Sequence, residues 1–322
     1  MFLSLNKIIK WLIIFLIIEV VLLAMGFFFE KKEKTKPPLR HYIFTIQNPT
    51  QSVSSKSIAS LKKEKSIVKA ENNLPLQDTI SSMKKIENPF RMVSLKTDRD
   101  VLSIKNQKVE PICYINTIAL GDLSIKKKKE TFINMMIPSI LLAKYKMKME
   151  RKKVIRLSKN SHLSKEDTLW LSKKLEQFKV SNTDELYKNM ELHPTSLIIA
   201  QAIVESGWGT SNFFKNANNV FGIWSFSKKD KRLVASKKRG KNAVYLKKYE
   251  SIHESIYDYL LTISKVSQYK SFRERRLETQ DPFILIEHLD KYSEQGDEYI
   301  ANIKNIMKKN KLLQYDSYTL QL

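Results

Sequence analysis

Residues Pro194 to Trp224 read PTSLIIAQAIVESGWGTSNFFKNANNVFGIW. From Leu197 to Val204 the run is apolar on every side apart from Gln201. A helix that is apolar all round is a buried one. Pro194 suits its start and Gly207 its stop. At the end of this core helix sits Glu205. A carboxylate there must be paired, hydrated or protonated, because burying a bare charge is expensive. Burial and the negative potential of a helix C-terminus both raise a carboxyl pKa. A raised pKa keeps a general acid protonated near neutral pH. The alternative is a structural Glu that turns to solvent or accepts hydrogen bonds from the next turn.

The residues after Glu205 favour chemistry. Gly207 and Gly209 allow a sharp backbone turn beside the acid. Trp208, Phe221 and Trp224 offer faces that can stack on sugar rings or exclude water, and Asn218 and Asn219 can orient hydroxyl or N-acetyl groups. Taken singly, each aromatic also suits core packing, and the Asn pair also suits a turn.

The segments AQAIVESGWGTSNF and NNVFGIW resemble the signature of the bacterial glucosaminidase family, described as mannosyl-glycoprotein endo-beta-N-acetylglucosaminidase-like, and in particular its Bax-type branch. Lys128 to Phe132 with Ile137-Pro138, and Tyr292-Ser293-Glu294-Gln295-Gly296-Asp297-Glu298-Tyr299, fit the same branch. The likeness runs from roughly Val109 to Leu313, about two thirds of the chain. It implies a lysozyme-like α+β fold, mainly helical, in which a helical lobe and a small β-hairpin lobe flank a groove. It also implies hydrolysis of peptidoglycan glycan strands. Glu205 occupies the family's catalytic position, and Tyr292 matches a tyrosine of the family's cleft.

The chain has 322 residues, a net charge of +24 and one cysteine, Cys113. Such a charge implies an anionic partner: nucleic acid, a membrane surface or an acidic polymer. The excess is largely lysine, spread widely, and no zinc-finger, helix-turn-helix or RNA-binding signature stands out, so no nucleic-acid partner is expected. One cysteine permits no intrachain disulfide, and it reads as a small buried hydrophobe. The five histidines show no metal-ligand spacing, and neither metal nor cofactor is expected.

Ile8 to Phe29 is apolar and long enough to cross a bilayer, with Glu19 near its centre as a penalty. Ala24-Met25-Gly26 would also suit signal-peptide cleavage. The continuation through Phe27-Phe28-Phe29 favours an uncleaved anchor over residues 1–30. The expected location is the cytoplasmic (inner) membrane, single-pass, with the catalytic domain on the periplasmic side. That orientation leans on the implied substrate, since lysines flank both ends of the span. Residues 31–108 are rich in Lys, Ser, Thr, Asn and Gln and are punctuated by prolines, the composition of a disordered linker. As a flexible coil of about 80 residues it would span roughly 50 Å. The domain is expected over 109–322, with its catalytic core at about 160–313.

Within that domain, Pro138 is expected to kink or restart a helix beginning near Lys126. Ser164-Lys165-Glu166-Asp167 and Ser251-Ile252-His253-Glu254 read as capping boxes that open helices, with His253 facing solvent. Thr183 to Met190 reads as a short helix. Lys231 to Ala235 and Ala243 to Tyr249 read as a basic hairpin arm, able to face the carboxylates of peptide stems or simply solvated. Helices are also expected from Pro282 and from Asp297 to Asn310.

Glycoside hydrolysis usually needs two carboxyls. Glu205 is the candidate acid. For the second group, the stretch from Ser225 to Tyr249 offers only Asp230. Three explanations stay open: Asp230 as base on a mobile loop, assistance by the substrate's N-acetyl group, or a chain that binds glycan and hydrolyses it poorly. Tyr292 can hydrogen-bond the attacking water or the N-acetyl oxygen. Glu294 and Asp297 read as surface acids. A lytic transglycosylase or muramidase of the same architecture is the nearest rival, followed by a non-catalytic wall-binding module.

Overall fold

The computed structural model describes residues 90–234 and 244–322. The expected membrane span and most of the expected linker lie outside them. No helix among the described residues is long and apolar enough to cross a membrane.

The first strand, β1 (Arg91–Val93), pairs in parallel with β3 (Ile112–Tyr114), and β2 (Lys108–Val109) pairs in parallel with β6 (Thr319–Leu320) near the C-terminus. Leu95 and Val101 are buried in the main core. The folded domain therefore begins before residue 109, and residues 91–108 are not linker. Their apolar residues are too few to show a periodicity, and it is long-range pairing that orders them.

A long helix, α1 (Ile125–Ser158), forms the backbone of the helical part. Ser124 caps its start, and the Lys126–Lys129 run is mostly exposed on its first turn. Pro138 lies inside this helix and neither ends nor restarts it. Residues Met135 to Ala143 are all buried, and that packing outweighs the missing backbone donor. Next come α2 (Lys165–Phe178), α3 (Thr183–Asn189) and α4 (Thr195–Ser206). Ser164 caps α2 by accepting from the Asp167 amide. Every residue of α4 except Val204 is buried, as an all-apolar helix requires.

Short α5 (Asn212–Ala217) leads to the antiparallel hairpin of β4 (Arg232–Val234) and β5 (Tyr245–Lys247), in the expected place. Then follow α6 (Ile252–Lys265), α7 (Lys270–Arg275), α8 (Pro282–Leu285), a 3₁₀ segment over Ile286–Tyr292, and α9 (Asp297–Lys309). Ser251 caps α6 as expected. His253 does not face solvent: it is buried, its Nδ1 lies 2.9 Å from Ser251 Oγ and 3.3 Å from Cys113 Sγ, and Phe90 covers its ring. The β1–β3 pair, absent from a helix-by-helix reading, supplies that cover. Burial pulls the imidazole pKa down to about 4.

Among the described residues the architecture is mainly helical α+β, with three two-stranded sheets. The central helix α4 packs against α1, α9 and the C-terminal 3₁₀ segment Leu312–Ser317.

Candidate active site

Helix α4 is fixed at both ends by groups distant in sequence or unusual in backbone. Its N-terminus has no side-chain cap of its own. Asp316 supplies one: its carboxylate accepts from the Ser196 amide and the Ser196 hydroxyl, each at 2.7 Å. An acid suits the positive end of a helix. Lys144 sits beside it, donating to the His193 carbonyl and to Thr195 Oγ1, and burial draws its pKa down to about 8 against the pull of Asp316.

At the other end Gly207 takes the left-handed conformation, and Trp208 follows it with φ 58°. A bulky residue at positive φ is strained, and such strain persists only where the surroundings enforce it. Here the Trp208 amide bonds the Ile203 carbonyl, Phe132 meets the indole edge-on, and Lys129 Nζ lies 4.9 Å from the ring centre. Gly209 is required next: a Cβ there would lie 2.8 Å from Leu120 and 3.0 Å from Phe132 and Phe214. This double turn ends α4 abruptly and holds Glu205 on its last turn.

Glu205 is 6% exposed. Burial pushes its pKa up to about 8, opposed by a hydrogen bond from the Tyr299 hydroxyl to Oε1 at 3.2 Å. Four tyrosines feel its charge: Tyr259 on α6, Tyr269, Tyr292 and Tyr299 on α9. Tyr292 stacks on Tyr299 with ring centres 5.6 Å apart and also meets Tyr259 and Tyr269. At neutral pH the carboxyl is therefore protonated, the state a general acid needs. Burial sets that state.

The structure thus brings Tyr292 to Glu205. Asp230 lies at the foot of the hairpin, accepting from Ser225 Oγ at 2.9 Å and influencing Tyr249. The other acids of that region are engaged elsewhere: Glu250 pairs with Lys231, and Asp258 binds Lys247 Nζ and the Tyr249 hydroxyl.

Three expected glycan-binding residues are framework instead. Asn218 donates to the Ile115 and Tyr249 carbonyls. Asn219 donates to the Ile223 and Lys247 carbonyls and accepts from the Ile223 amide. These amides clamp the hairpin to the helical part, because buried carbonyls need donors. Phe221 is fully buried and stacked on Tyr259 at 4.1 Å. Trp208 and Trp224 remain half-buried, Trp224 bridging to Leu246 in the hairpin. Phe226 is 69% exposed two residues on, an aromatic face the sequence reading passed over.

That reading also missed the polar chain behind Glu205. Gln201, one turn earlier on α4, is fully buried. Its Oε1 accepts from the Tyr259 hydroxyl at 2.5 Å, and its Nε2 donates to the Tyr299 oxygen at 3.0 Å. His193 Nε2 lies 3.1 Å from the Tyr259 oxygen. Burial, then the charges of Arg276 and Lys144, hold His193 far below the ordinary imidazole pKa. The signal was present: one amide in an otherwise apolar helix, four residues before the acid.

Two surface hollows lie elsewhere, one lined by Asn106, Gln107, Leu320 and Leu322, the other by Phe283, Met307, Lys311 and Leu313. Neither is lined by an acid. Among the described residues no group of three or more His, Cys, Asp or Glu could hold a metal ion.

The glucosaminidase family model, described as mannosyl-glycoprotein endo-beta-N-acetylglucosaminidase, matches residues 180–312. Protein bax of Escherichia coli (strain K12) is 27% identical over 186 residues, covering 53% of this chain and 66% of that protein. Both matches show the resemblance to a Bax-type glucosaminidase. The chain is also similar to the catalytic domain of the autolysin Auto from Listeria monocytogenes, with 21% identity, 52% of this chain and 97% of that chain covered, and a TM-score of 0.34. A glycoside hydrolase domain of FlgJ from Salmonella typhimurium aligns at 20% identity over 37% of this chain and 84% of that one, with a TM-score of 0.30.

Proposed function

We propose that this chain hydrolyses the glycan strands of peptidoglycan as an endo-beta-N-acetylglucosaminidase, with Glu205 as the general acid. The observation carrying this reading is a carboxyl at the end of a buried helix, ringed by tyrosines and with its pKa pushed up to about 8. In the proposed reaction Glu205 gives its proton to the glycosidic oxygen as the bond to the anomeric carbon breaks. Water then supplies the new hydroxyl at that carbon and a proton returns to Glu205. Tyr292, which feels the Glu205 charge, takes the role of steering the water or the N-acetyl oxygen in this reading. Trp208 and Trp224 supply apolar faces for the sugars.

The positive charge developing at the anomeric carbon needs an electron-rich partner. The Asp230 carboxylate is engaged by the Ser225 hydroxyl, and this reading assigns the role to the substrate's own N-acetyl oxygen. The engagement of Asp230 also favours, as a second reading, a lytic transglycosylase working with a single Glu. Digestion of purified peptidoglycan followed by mass spectrometry separates the two. New reducing N-acetylglucosamine ends support the hydrolase, whereas anhydro-muramic ends refute it. Binding without new ends would make the chain a wall-binding module. Residues 8–29 would tether the domain on the periplasmic side of the cytoplasmic membrane; N-terminal sequencing of the mature protein tests this, since a start at Phe27 would mean cleavage.

A further inference from the structure

The buried amide of Gln201 costs stability unless both of its ends are bonded, and both are. An amide oxygen can only accept and an amide nitrogen can only donate, so Gln201 fixes the direction of every hydrogen bond around it. Tyr259 must spend its proton on Gln201 Oε1. His193, held neutral, must then donate to the Tyr259 oxygen. On the other side Gln201 Nε2 occupies the Tyr299 oxygen, so the Tyr299 proton is directed to Glu205 Oε1.

Turning the amide over would reverse the outcome. Its oxygen would capture the Tyr299 proton, and Glu205 would be left to donate its own proton inward, to Tyr299. The structure holds the amide the other way round, with Tyr259 donating to Oε1 and Nε2 donating to the Tyr299 oxygen. The groups facing Glu205 and this relay come from several elements: Tyr299 on α9, Tyr292 on the 3₁₀ segment Ile286–Tyr292, Tyr269 on a further 3₁₀ turn, Ser267–Tyr269, Tyr259 on α6, and behind them His193 with Lys144 and Arg276.

We propose that Gln201 is a positioning residue for Glu205: its amide forces the Tyr299 hydroxyl to donate to Oε1 and so leaves the acidic proton on Oε2. This rests on the reading of Glu205 as the acid, and it adds the device that decides which oxygen acts.

The test uses Gln201→Met, which keeps the volume and removes the amide, and Tyr259→Phe, which removes only the hydroxyl that anchors the amide. Tyr299→Phe sets the full size of the effect. The Glu205 carboxyl is titrated by carbon-13 NMR, assigned by its disappearance in Glu205→Gln, and kcat and KM on peptidoglycan are followed across pH. The Tyr299 bond holds the Glu205 pKa down. Tyr299→Phe removes it, and Gln201→Met and Tyr259→Phe weaken it by releasing the direction of the Tyr299 hydroxyl, so the NMR midpoint and the alkaline limb of kcat/KM move to higher pH in all three variants, furthest in Tyr299→Phe. Combining Gln201→Met with Tyr299→Phe adds no further shift, because both break one path. In Gln201→Met, kcat falls about tenfold while KM stays within about twofold, the pattern of a lost positioning contact.

A destabilised Gln201→Met with an unmoved midpoint would reduce Gln201 to packing. If that variant does not fold, an unmoved midpoint in Tyr259→Phe overturns the proposal. A moved midpoint in a protein that releases no ends from peptidoglycan would refute the glycosidase reading and leave the positioning intact.

Discussion

Replacing Glu205 by Gln should make the protein more stable as the pH rises, while abolishing turnover. Folding raises the Glu205 pKa from 4.5 to about 8. Between those values the native state binds a proton that the unfolded state has released, so stability falls with increasing pH. The loss is absent below pH 4.5, grows by about 1.4 kcal/mol per pH unit, and is complete above pH 8. At pH 7 it amounts to about 3 kcal/mol, and at pH 9 to about 5 kcal/mol. Gln carries no such burden and keeps an oxygen for the Tyr299 hydroxyl. Urea denaturation of both proteins at pH 4, 5, 6, 7, 8 and 9 gives the difference directly. The expected result is an advantage for Glu205→Gln that increases between pH 5 and 8 and then levels. A difference independent of pH would mean that Glu205 ionises as an ordinary exposed carboxyl, and the general-acid assignment would lose its physical basis.

Asp230→Asn should lower turnover on peptidoglycan by less than about tenfold, because its carboxylate is held by Ser225; a loss of about a thousandfold would make Asp230 the base. Gly209→Ala should destabilise by about 2–4 kcal/mol, since φ is 76° and the added methyl meets Leu120; a thermal shift under a degree would contradict the crowding. Asp316→Ala removes two hydrogen bonds at the start of α4 and should cost about 1–3 kcal/mol in urea unfolding. Asn219→Ala should fail through stability, leaving KM near the wild-type value in whatever folds, because its amide serves backbone carbonyls.

What could be read from the chain alone was what depends on near neighbours. An apolar run with no polar face declares a buried helix, a glycine ends it, and an acid at that point is under strain whatever surrounds it. The caps at Ser164 and Ser251 and the basic hairpin follow from residues three or four apart. Side-chain partnership is a different kind of fact. Asp316 reaches α4 across 120 positions and Tyr299 reaches Glu205 across 94. Asn218, Asn219 and Phe221 have the chemistry of a sugar site, yet the packing of hairpin on helix turned them to backbone and core. The two faces of Gln201 are chemically distinct but flexible about one bond, so only Tyr259 on one side and Tyr299 on the other decide which way the amide points. Local periodicity could put an acid at a buried helix end, and the convergence of α4, α6 and α9 set its proton, because hydrogen-bond direction depends on every group in the chain of contacts.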